Sequence, residues 1–221
     1  MRKRMKKLLY GLTMLCVIAG LVCVLWPSSV QAASAKSKAL KAYKQFLSKN
    51  IEWDGAFDRE SWDTKDSIAP EECEFSLVYV DKDSVPELVV FTDNVASSAC
   101  RGHLYTYKNG KVRLVESMRS GFSYYKKTGT FCEMDSRSEY SDDVYYKLSG
   151  GKSQMKLMKS DETEWAGDNP TTYYYRVQKG ELKDTNKKTF KAELKKLSKG
   201  KKASKPKYYR NTAENRNKRL K

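Results

Sequence analysis

Histidine is nearly absent from this sequence of 221 residues, which has only His103. A histidine base therefore has one candidate, two residues after Arg101 at the start of a predicted hairpin strand. The GxSxG, HExxH and CxxC patterns are missing as well. One histidine and scattered cysteines also do not make a zinc site. These absences favour a non-catalytic protein in which His103 is structural.

The first 32 residues have the pattern of a secretory signal peptide. Five basic residues precede an apolar run at 8–26, and Val30 and Ala32 are small residues suited to cleavage after Ala32. The run of 19 residues is also long enough to span a bilayer, so an uncleaved anchor is the alternative. Either interpretation places the remaining chain outside the cytoplasm, secreted or at the cell surface.

The cysteines are few once the predicted signal peptide is removed. Cys73, Cys100 and Cys132 remain, and outside the cytoplasm a disulfide is permitted. Cys73 precedes one predicted strand and Cys100 follows the strand expected to pair with it, so we predict a Cys73–Cys100 bridge. A free, buried thiol is the alternative for each of the three.

The body of the chain shows hairpin patterns and no strand–helix alternation. Two alternating runs flank Asn109–Gly110, the favoured pair for a type I′ turn. The acidic stretch 50–72 is predicted to be irregular. Further strands and hairpins are predicted at 74–80, 87–92, 122–134, 143–158 and 171–178.

Helical patterns lie at the two ends of this body. Apolar residues share one side of a predicted helix at 34–49, and a second predicted helix ends at Gly200. Asn211 and Glu214 have the spacing of a capping box before a short last helix. We therefore predict an α+β fold, a mainly antiparallel meandering sheet flanked by an N-terminal helix and C-terminal helices. Residues 33–200 are predicted to form one domain.

Positive charge is concentrated at the C-terminal end. Residues 33–180 hold 22 basic and 23 acidic residues, whereas residues 181–221 hold 16 basic and 4 acidic residues. Such a region outside the cell attracts anionic wall polymers or a membrane surface, and no nucleic-acid-binding motif accompanies it. The alternative is a solvated helix face with a solubilising end.

We predict that residues 201–221 form a basic tail that binds polyanions, and that truncation after Gly200 leaves the fold largely intact. The predicted contact residues are Lys201, Lys202, Lys205, Lys207, Arg210, Arg216, Lys218 and Arg219.

The stretch YVDKDSVPELVV at 79–90 looks like a metal-binding loop with a part missing. A calcium loop needs oxygen ligands at alternating positions and a glycine at the sharp bend. The stretch resembles the DxNxDGxPEL segment of uncharacterised exported proteins of Gram-positive bacteria. In that register Tyr79 replaces the first ligand and Ser84 replaces the glycine. The resemblance implies export and a shared fold, and no activity.

Three carboxylates of this loop remain as candidate metal ligands, Asp81, Asp83 and Glu87. A hard cation that prefers six to eight oxygens is poorly served by them. We predict a degenerate calcium-type loop that acts mainly as a hairpin turn, with calcium binding that is weak or absent. No other cofactor is predicted.

A second functional hypothesis is glycan chemistry. Glycoside hydrolysis needs two well-spaced carboxylates, and residues 52–74 hold nine acidic residues with Trp53 and Trp62 among them. Such a loop also suits a carbohydrate-binding module, and paired tyrosines on the strands offer further stacking surfaces. The competing interpretation is a solvated acidic loop.

Overall fold

The protein is described here by a computed structural model covering residues 27–58, 63–96, 99–137, 139–163 and 169–221. The predicted apolar run at 8–26, with its alternatives of signal peptide and anchor, lies outside these residues, as does Trp62. Among the helices that are described, none has the length and apolar character needed to cross a membrane.

Strands make up about half of the described chain. A two-stranded ribbon consists of β1 (Ile51–Asp58) and β2 (Asp63–Ile68). The next strands along the chain are β3 (Cys73–Val78), β4 (Glu87–Thr92), β5 (Gly102–Lys108), β6 (Lys111–Met118), β7 (Gly121–Tyr125) and β8 (Thr130–Ser136). They are followed by β9 (Tyr140–Ser149), β10 (Lys152–Glu162), β11 (Thr171–Gln178), β12 (Glu181–Asp184) and β13 (Tyr209–Arg210).

The strands form two antiparallel meanders. One sheet has the order β13-β3-β4-β5-β6 and the other the order β12-β11-β10-β9-β8-β7. The helices are α1 (Pro27–Phe46), α2 (Lys187–Ser198) and α3 (Ala213–Arg219). The α+β prediction, with a meandering sheet and helices at both ends, is confirmed.

Alternation along the central strand β4 places a different core on each face of the five-stranded sheet. Leu88 and Val90 pack with α1 and the β1–β2 ribbon, while Val89 faces the six-stranded sheet. The far face of the six-stranded sheet is covered by α2 through Phe190. The layers therefore follow the order α1, five-stranded sheet, six-stranded sheet, α2, because each sheet buries apolar residues on both faces.

Local sequence chemistry explains the ends of these elements. Asn109 and Gly110 both have positive φ between β5 and β6, as a type I′ turn requires. Asn186 caps α2 by accepting a hydrogen bond from the Thr189 N–H, and Lys199 ends it in the left-handed conformation. The predicted Asn109–Gly110 hairpin and the predicted helix end at Gly200 are therefore confirmed.

The stretch 50–72, which we predicted to be irregular, instead contains the β1–β2 ribbon. Ile51 and Trp53 are buried and Glu52 and Asp54 are exposed, so the stretch alternates with the period of a half-buried strand. Glu52, Asp54 and Asp66 are exposed. In so short a stretch their charges make the strand pattern hard to recognise from sequence.

Residues 201–221 are not a separate tail. β13 pairs with β3 at the edge of the five-stranded sheet, and Leu220 is buried in the core beneath α1. Thr212 rather than Asn211 caps α3, because Asn211 is itself buried and donates to the Leu47 carbonyl at 2.8 Å. Truncation after Gly200 removes this strand and these buried groups, so we now expect it to destabilise the fold rather than to leave it intact.

Candidate functional site

The β3–β4 loop is closed by its own carboxylates. Asp81 Oδ1 accepts from the Asp83 N–H at 2.9 Å, and Asp83 Oδ1 accepts from the Val85 N–H at 2.8 Å. These are successive side-chain-to-backbone turns, which bend the chain tightly without a glycine. The predicted turn function of this loop therefore has a specific structural basis.

Glu87 at the start of β4 completes a group of three carboxylates. One oxygen from each of Asp81, Asp83 and Glu87 lies within 4.8 Å of the others. Glu87 is 1% exposed and accepts from the Val80 N–H at 2.8 Å. Burial, assisted by the negative charges of Asp81 and Asp83, raises the pKa of Glu87 to about 8. At neutral pH this carboxyl is mainly protonated, because burial outweighs the Val80 N–H bond, which favours the charged form.

The structure shows what occupies the first position of the calcium-type loop, where the sequence has Tyr79 instead of a carboxylate. The ring of Tyr79, at the first ligand position, lies beneath the amines of Lys36 and Lys127 at 5.9 and 5.7 Å. Three carboxylates, one of them neutral, leave a six- to eight-coordinate ion short of ligands. Their convergence agrees with the residues selected from sequence, and weak or absent calcium binding stays a prediction.

Lysines converge at the other side of the same loop. Lys82 is a charged neighbour of Lys199 at the end of α2, and Lys147 of β9 and Lys201 add their charges. The amines of Lys147 and Lys201 donate to the carbonyls of Thr128 and Lys126 in the turn beside this loop. The contact with Lys82, slight desolvation and the charges of Lys147 and Lys201 lower the pKa of Lys199. Burial and the charges of Lys82 and Lys156 lower the pKa of Lys147. We call Lys82, Lys147, Lys199 and Lys201 the lysine cluster.

The C-terminal residues predicted to bind polyanions divide into two groups. Arg216 donates to the Asn211 side chain at 2.8 Å and to the Leu47 carbonyl at 3.3 Å, so it holds α3 on the core. Arg219 stacks at 3.9 Å from the Tyr209 ring centre but stays exposed. The remaining members are exposed, namely Lys201, Lys202, Lys205, Lys207, Arg210 and Lys218.

A groove of about 1140 Å³ opens between the two sheets beside this C-terminal segment. Its lining combines the aromatic rings of Phe91 and Tyr208 with the charged groups of Glu71, Lys205 and Arg210. The wall contains a Lys65–Glu72 ion pair at 2.9 Å. The residues come from β2, residues 71–72, β3, β4, β7, β8 and residues 205–210, so folding rather than local sequence creates this site.

Among the described residues of the stretch 52–74, Glu72 lacks the raised pKa that a hydrolytic acid needs. Partial burial opposes the ionisation of Glu72, but its bonds to Lys65 and Ala69 hold the pKa of this carboxyl below its usual value. A general acid in a glycosidase needs a raised pKa. Trp53 is buried and stacks on His103 at 3.7 Å, so it offers no sugar platform.

His103 is a structural residue, as the sequence predicted. Its ring is buried between Trp53 and Tyr105, and its Nδ1 lies 2.9 Å from the Tyr105 hydroxyl. Burial lowers the pKa of His103 to about 4, so the ring is neutral at physiological pH. This arrangement satisfies the histidine and gives no sign of a catalytic base.

The predicted Cys73–Cys100 bridge is not formed, and Cys132 is free as well. Cys73 pairs with Thr92 of β4, and the Thr92 N–H bonds to the Arg101 carbonyl on the far side of β4. Two strand spacings put Cys73 about 9–10 Å from the chain that carries Cys100. A disulfide needs Cα atoms closer than about 7 Å. The sequence prediction included β4 but not that the chain carrying Cys100 lies on its far side.

Sequence reasoning selected the carboxylates and, of the lysine cluster, Lys201 alone. Asp81, Asp83 and Glu87 lie within one short loop, whereas Lys82, Lys147 and Lys199 are far apart in the chain. A spacing pattern cannot reveal residues that only tertiary contacts bring together. The one local signal was Lys199–Gly200 at a helix end, where the chain reverses.

Comparisons with known proteins give limited information. No protein-family model matches the sequence, and the search of curated proteins gives no match. Among solved structures the chain is similar to "Structure of a Xanthomonas Type IV Secretion System related protein", with a TM-score of 0.41 and 15% identity. The alignment covers 51% of this chain and 57% of that chain.

Proposed function

We propose that this protein is an exported, non-catalytic module, outside the cell or at its surface, that binds anionic envelope polymers or a membrane surface. The binding surface is its C-terminal basic surface, which we define as the exposed Lys and Arg residues of 187–221. Export rests on the predicted signal peptide.

One observation carries this proposal: the basic residues of 187–221 are exposed and lack acidic partners. All of them except Arg216 are exposed. Within the described chain, no Lys or Arg from Lys187 onward forms an ion pair with a carboxylate. Because their charge is not neutralised internally, these side chains attract polyanions over about one Debye length, roughly 10 Å at 0.1 M salt.

The structured C-terminus changes how this proposal is tested, since truncation would damage the fold. Four exposed lysines, Lys188, Lys191, Lys195 and Lys202, are each replaced by Gln. The matched control replaces Lys38, Lys41, Lys49 and Lys111, which are exposed elsewhere, and so removes the same charge.

Sedimentation with purified cell walls or anionic vesicles at two salt concentrations measures the effect. We expect binding that weakens steeply with salt, as counterion release requires, and a much larger loss for the first variant than for the control. Equal retention of the two variants, or retention insensitive to salt, would show that the basic surface only aids solubility.

Glycan binding is a second candidate, favoured by the groove of about 1140 Å³ with its aromatic and charged lining. Calorimetric titration with soluble envelope glycans tests it, with product analysis to detect hydrolysis. Binding through the groove should weaken in Arg210→Gln and persist in Lys218→Gln, which removes the same charge outside it. No heat with any glycan would remove this candidate.

A further inference from the structure

We propose that the lysine cluster is a discrete binding site for a phosphate group, supplied by a phosphodiester of the bound polymer. This inference rests on the proposed function and narrows it, because it assigns a chemical class of ligand and a specific place. The remaining basic surface then supplies general attraction, while the cluster makes direct hydrogen bonds.

The first argument is that backbone contacts fix the cluster in place. The turn at 126–129 bonds to the β3–β4 loop through Lys127 N–H to Tyr79 carbonyl at 2.9 Å and Gly129 N–H to Val80 carbonyl at 2.7 Å. This second bond holds the backbone two residues before Lys82. The lysines are therefore attached to a packed junction rather than to independent flexible segments.

The same turn holds the other cluster members. The Gly129 carbonyl accepts from the Leu148 N–H at 2.7 Å, next to Lys147. Thr130 Oγ1 donates to the Leu197 carbonyl at 2.8 Å, near the end of α2, and Lys201 Nζ donates to the Lys126 carbonyl at 2.8 Å. The five-stranded sheet, the six-stranded sheet and α2 thus all contact the turn at 126–129. Each of them carries a lysine near this contact.

The second argument is the absence of a counterion among the described residues. None of the four lysines has an ion pair there, although Asp81 and Asp83 flank Lys82 in sequence. Those two carboxylates turn towards Glu87 and accept backbone N–H groups. The cluster therefore has unneutralised positive charge beside carboxylates that are directed elsewhere.

The third argument is that ammonium groups gathered at one turn repel each other unless an anion lies between them. The Lys147 and Lys201 amines donate to the Thr128 and Lys126 carbonyls of the same turn, and the neighbouring charge of Lys82 lowers the pKa of Lys199. A phosphate group fits such a position because its oxygens accept several charge-assisted hydrogen bonds at once, and each lysine offers three donors. A phosphodiester is a natural ligand for a surface that already attracts polyanions.

The test compares two variants with the same loss of charge. The cluster variant is Lys82→Gln with Lys199→Gln, and the matched control is Lys187→Gln with Lys188→Gln at the opposite end of α2. The probes are inorganic phosphate, soluble poly(glycerol phosphate), and phosphatidylcholine vesicles with and without phosphatidylglycerol. Circular dichroism and thermal unfolding verify that both variants are folded, and Lys82→Arg should retain binding.

We expect the cluster variant to lose about tenfold or more in poly(glycerol phosphate) affinity, the range of one or two charged hydrogen bonds, and the control far less. Equal losses would overturn the discrete site while leaving the proposed function standing. Inorganic phosphate that perturbs Lys82 and Lys199 without any polymer or vesicle binding would support the site and overturn the proposed function. Preference for phosphatidylglycerol vesicles over the polymer would overturn the assignment to a polymer and identify a lipid headgroup as the phosphate source.

Discussion

The β3–β4 loop presents acidic and basic groups whose surroundings are opposite in kind. Asp81, Asp83 and Glu87 each accept a backbone N–H, and Glu87 is buried. Lys82, between the two aspartates, is exposed, and its charge lowers the pKa of Lys199. The comparison shows that the partners of a charge, rather than its presence in the sequence, decide whether it is available to a ligand. The carboxylates shape the loop, whereas the lysines have no ion pair among the described residues.

The largest effect that can test this comparison is the pH dependence contributed by Glu87. Its folded pKa of about 8 lies above the ordinary value of 4.5, so the folded state binds this proton more tightly. The stability from this group is fully present below pH 4.5 and is lost as pH rises through 8. We expect a loss of up to about 5 kcal/mol over that window, measured by urea unfolding.

The variant Glu87→Gln isolates this contribution, because Gln keeps the shape and cannot ionise. Its unfolding free energy should fall less between pH 5 and 9 than that of the wild type, whereas Glu74→Gln, at an exposed position of β3, should follow the wild type. If the unfolding free energies of Glu87→Gln and the wild type change with pH in the same way, Glu87 has an ordinary pKa in the folded protein and this account is wrong.

A smaller effect on the unfolding free energy should distinguish a hydrogen-bonded basic residue of the C-terminal segment from an exposed one. Arg216 donates to oxygens of Asn211 and Leu47, while Lys218 on the same helix is exposed. We expect Arg216→Ala to lower the unfolding free energy by about 2 kcal/mol, since hydrogen bonds from charged groups contribute about 1.5–3 kcal/mol. Lys218→Ala should change it by less than about 0.5 kcal/mol. Equal effects in thermal unfolding would contradict this division.

These two variants show why sequence reasoning succeeded for some features and failed for others. Asn109–Gly110, the α1 stripe and the three carboxylates are local patterns, so spacing alone predicted them. Arg216 was grouped with Lys218 as a surface charge because nothing in the sequence indicates that its partners lie near Leu47, 169 residues away. The lysine cluster and the β13–β3 pairing depend on the same kind of long-range contact.

Calcium affinity tests whether Asp81, Asp83 and Glu87 only shape the loop or also bind a cation. We expect wild-type binding to be weak or absent in calorimetry, and to increase with pH as Glu87 loses its proton. Tyr79→Asp with Ser84→Gly should raise affinity about tenfold, because it adds a carboxylate and frees the bend. Micromolar affinity in the wild type that is lost on Asp81→Ala with Asp83→Ala would show that the loop is a functional calcium site.

The smallest expected effect is the change in stability when a lysine of the lysine cluster is replaced. Lys82→Gln removes a charge that has no acidic partner among the described residues, so stability should change by less than about 0.5 kcal/mol or rise slightly as repulsion with Lys199 is relieved. Denaturant midpoints of the variant and the wild type provide this comparison. A loss of more than about 1 kcal/mol would mean that Lys82 is a structural residue rather than a binding residue.

The most direct measurement is an NMR titration of the lysine side-chain amines of the intact chain, with and without inorganic phosphate. Without phosphate, Lys199 should have a pKa below the ordinary lysine value because of its contact with Lys82. Phosphate should raise the pKa of Lys199 and shift the signals of Lys82 and Lys147, while Lys187 stays unchanged. Uniform small shifts across all exposed lysines, with no change in the pKa of Lys199, would contradict a phosphate site at the lysine cluster.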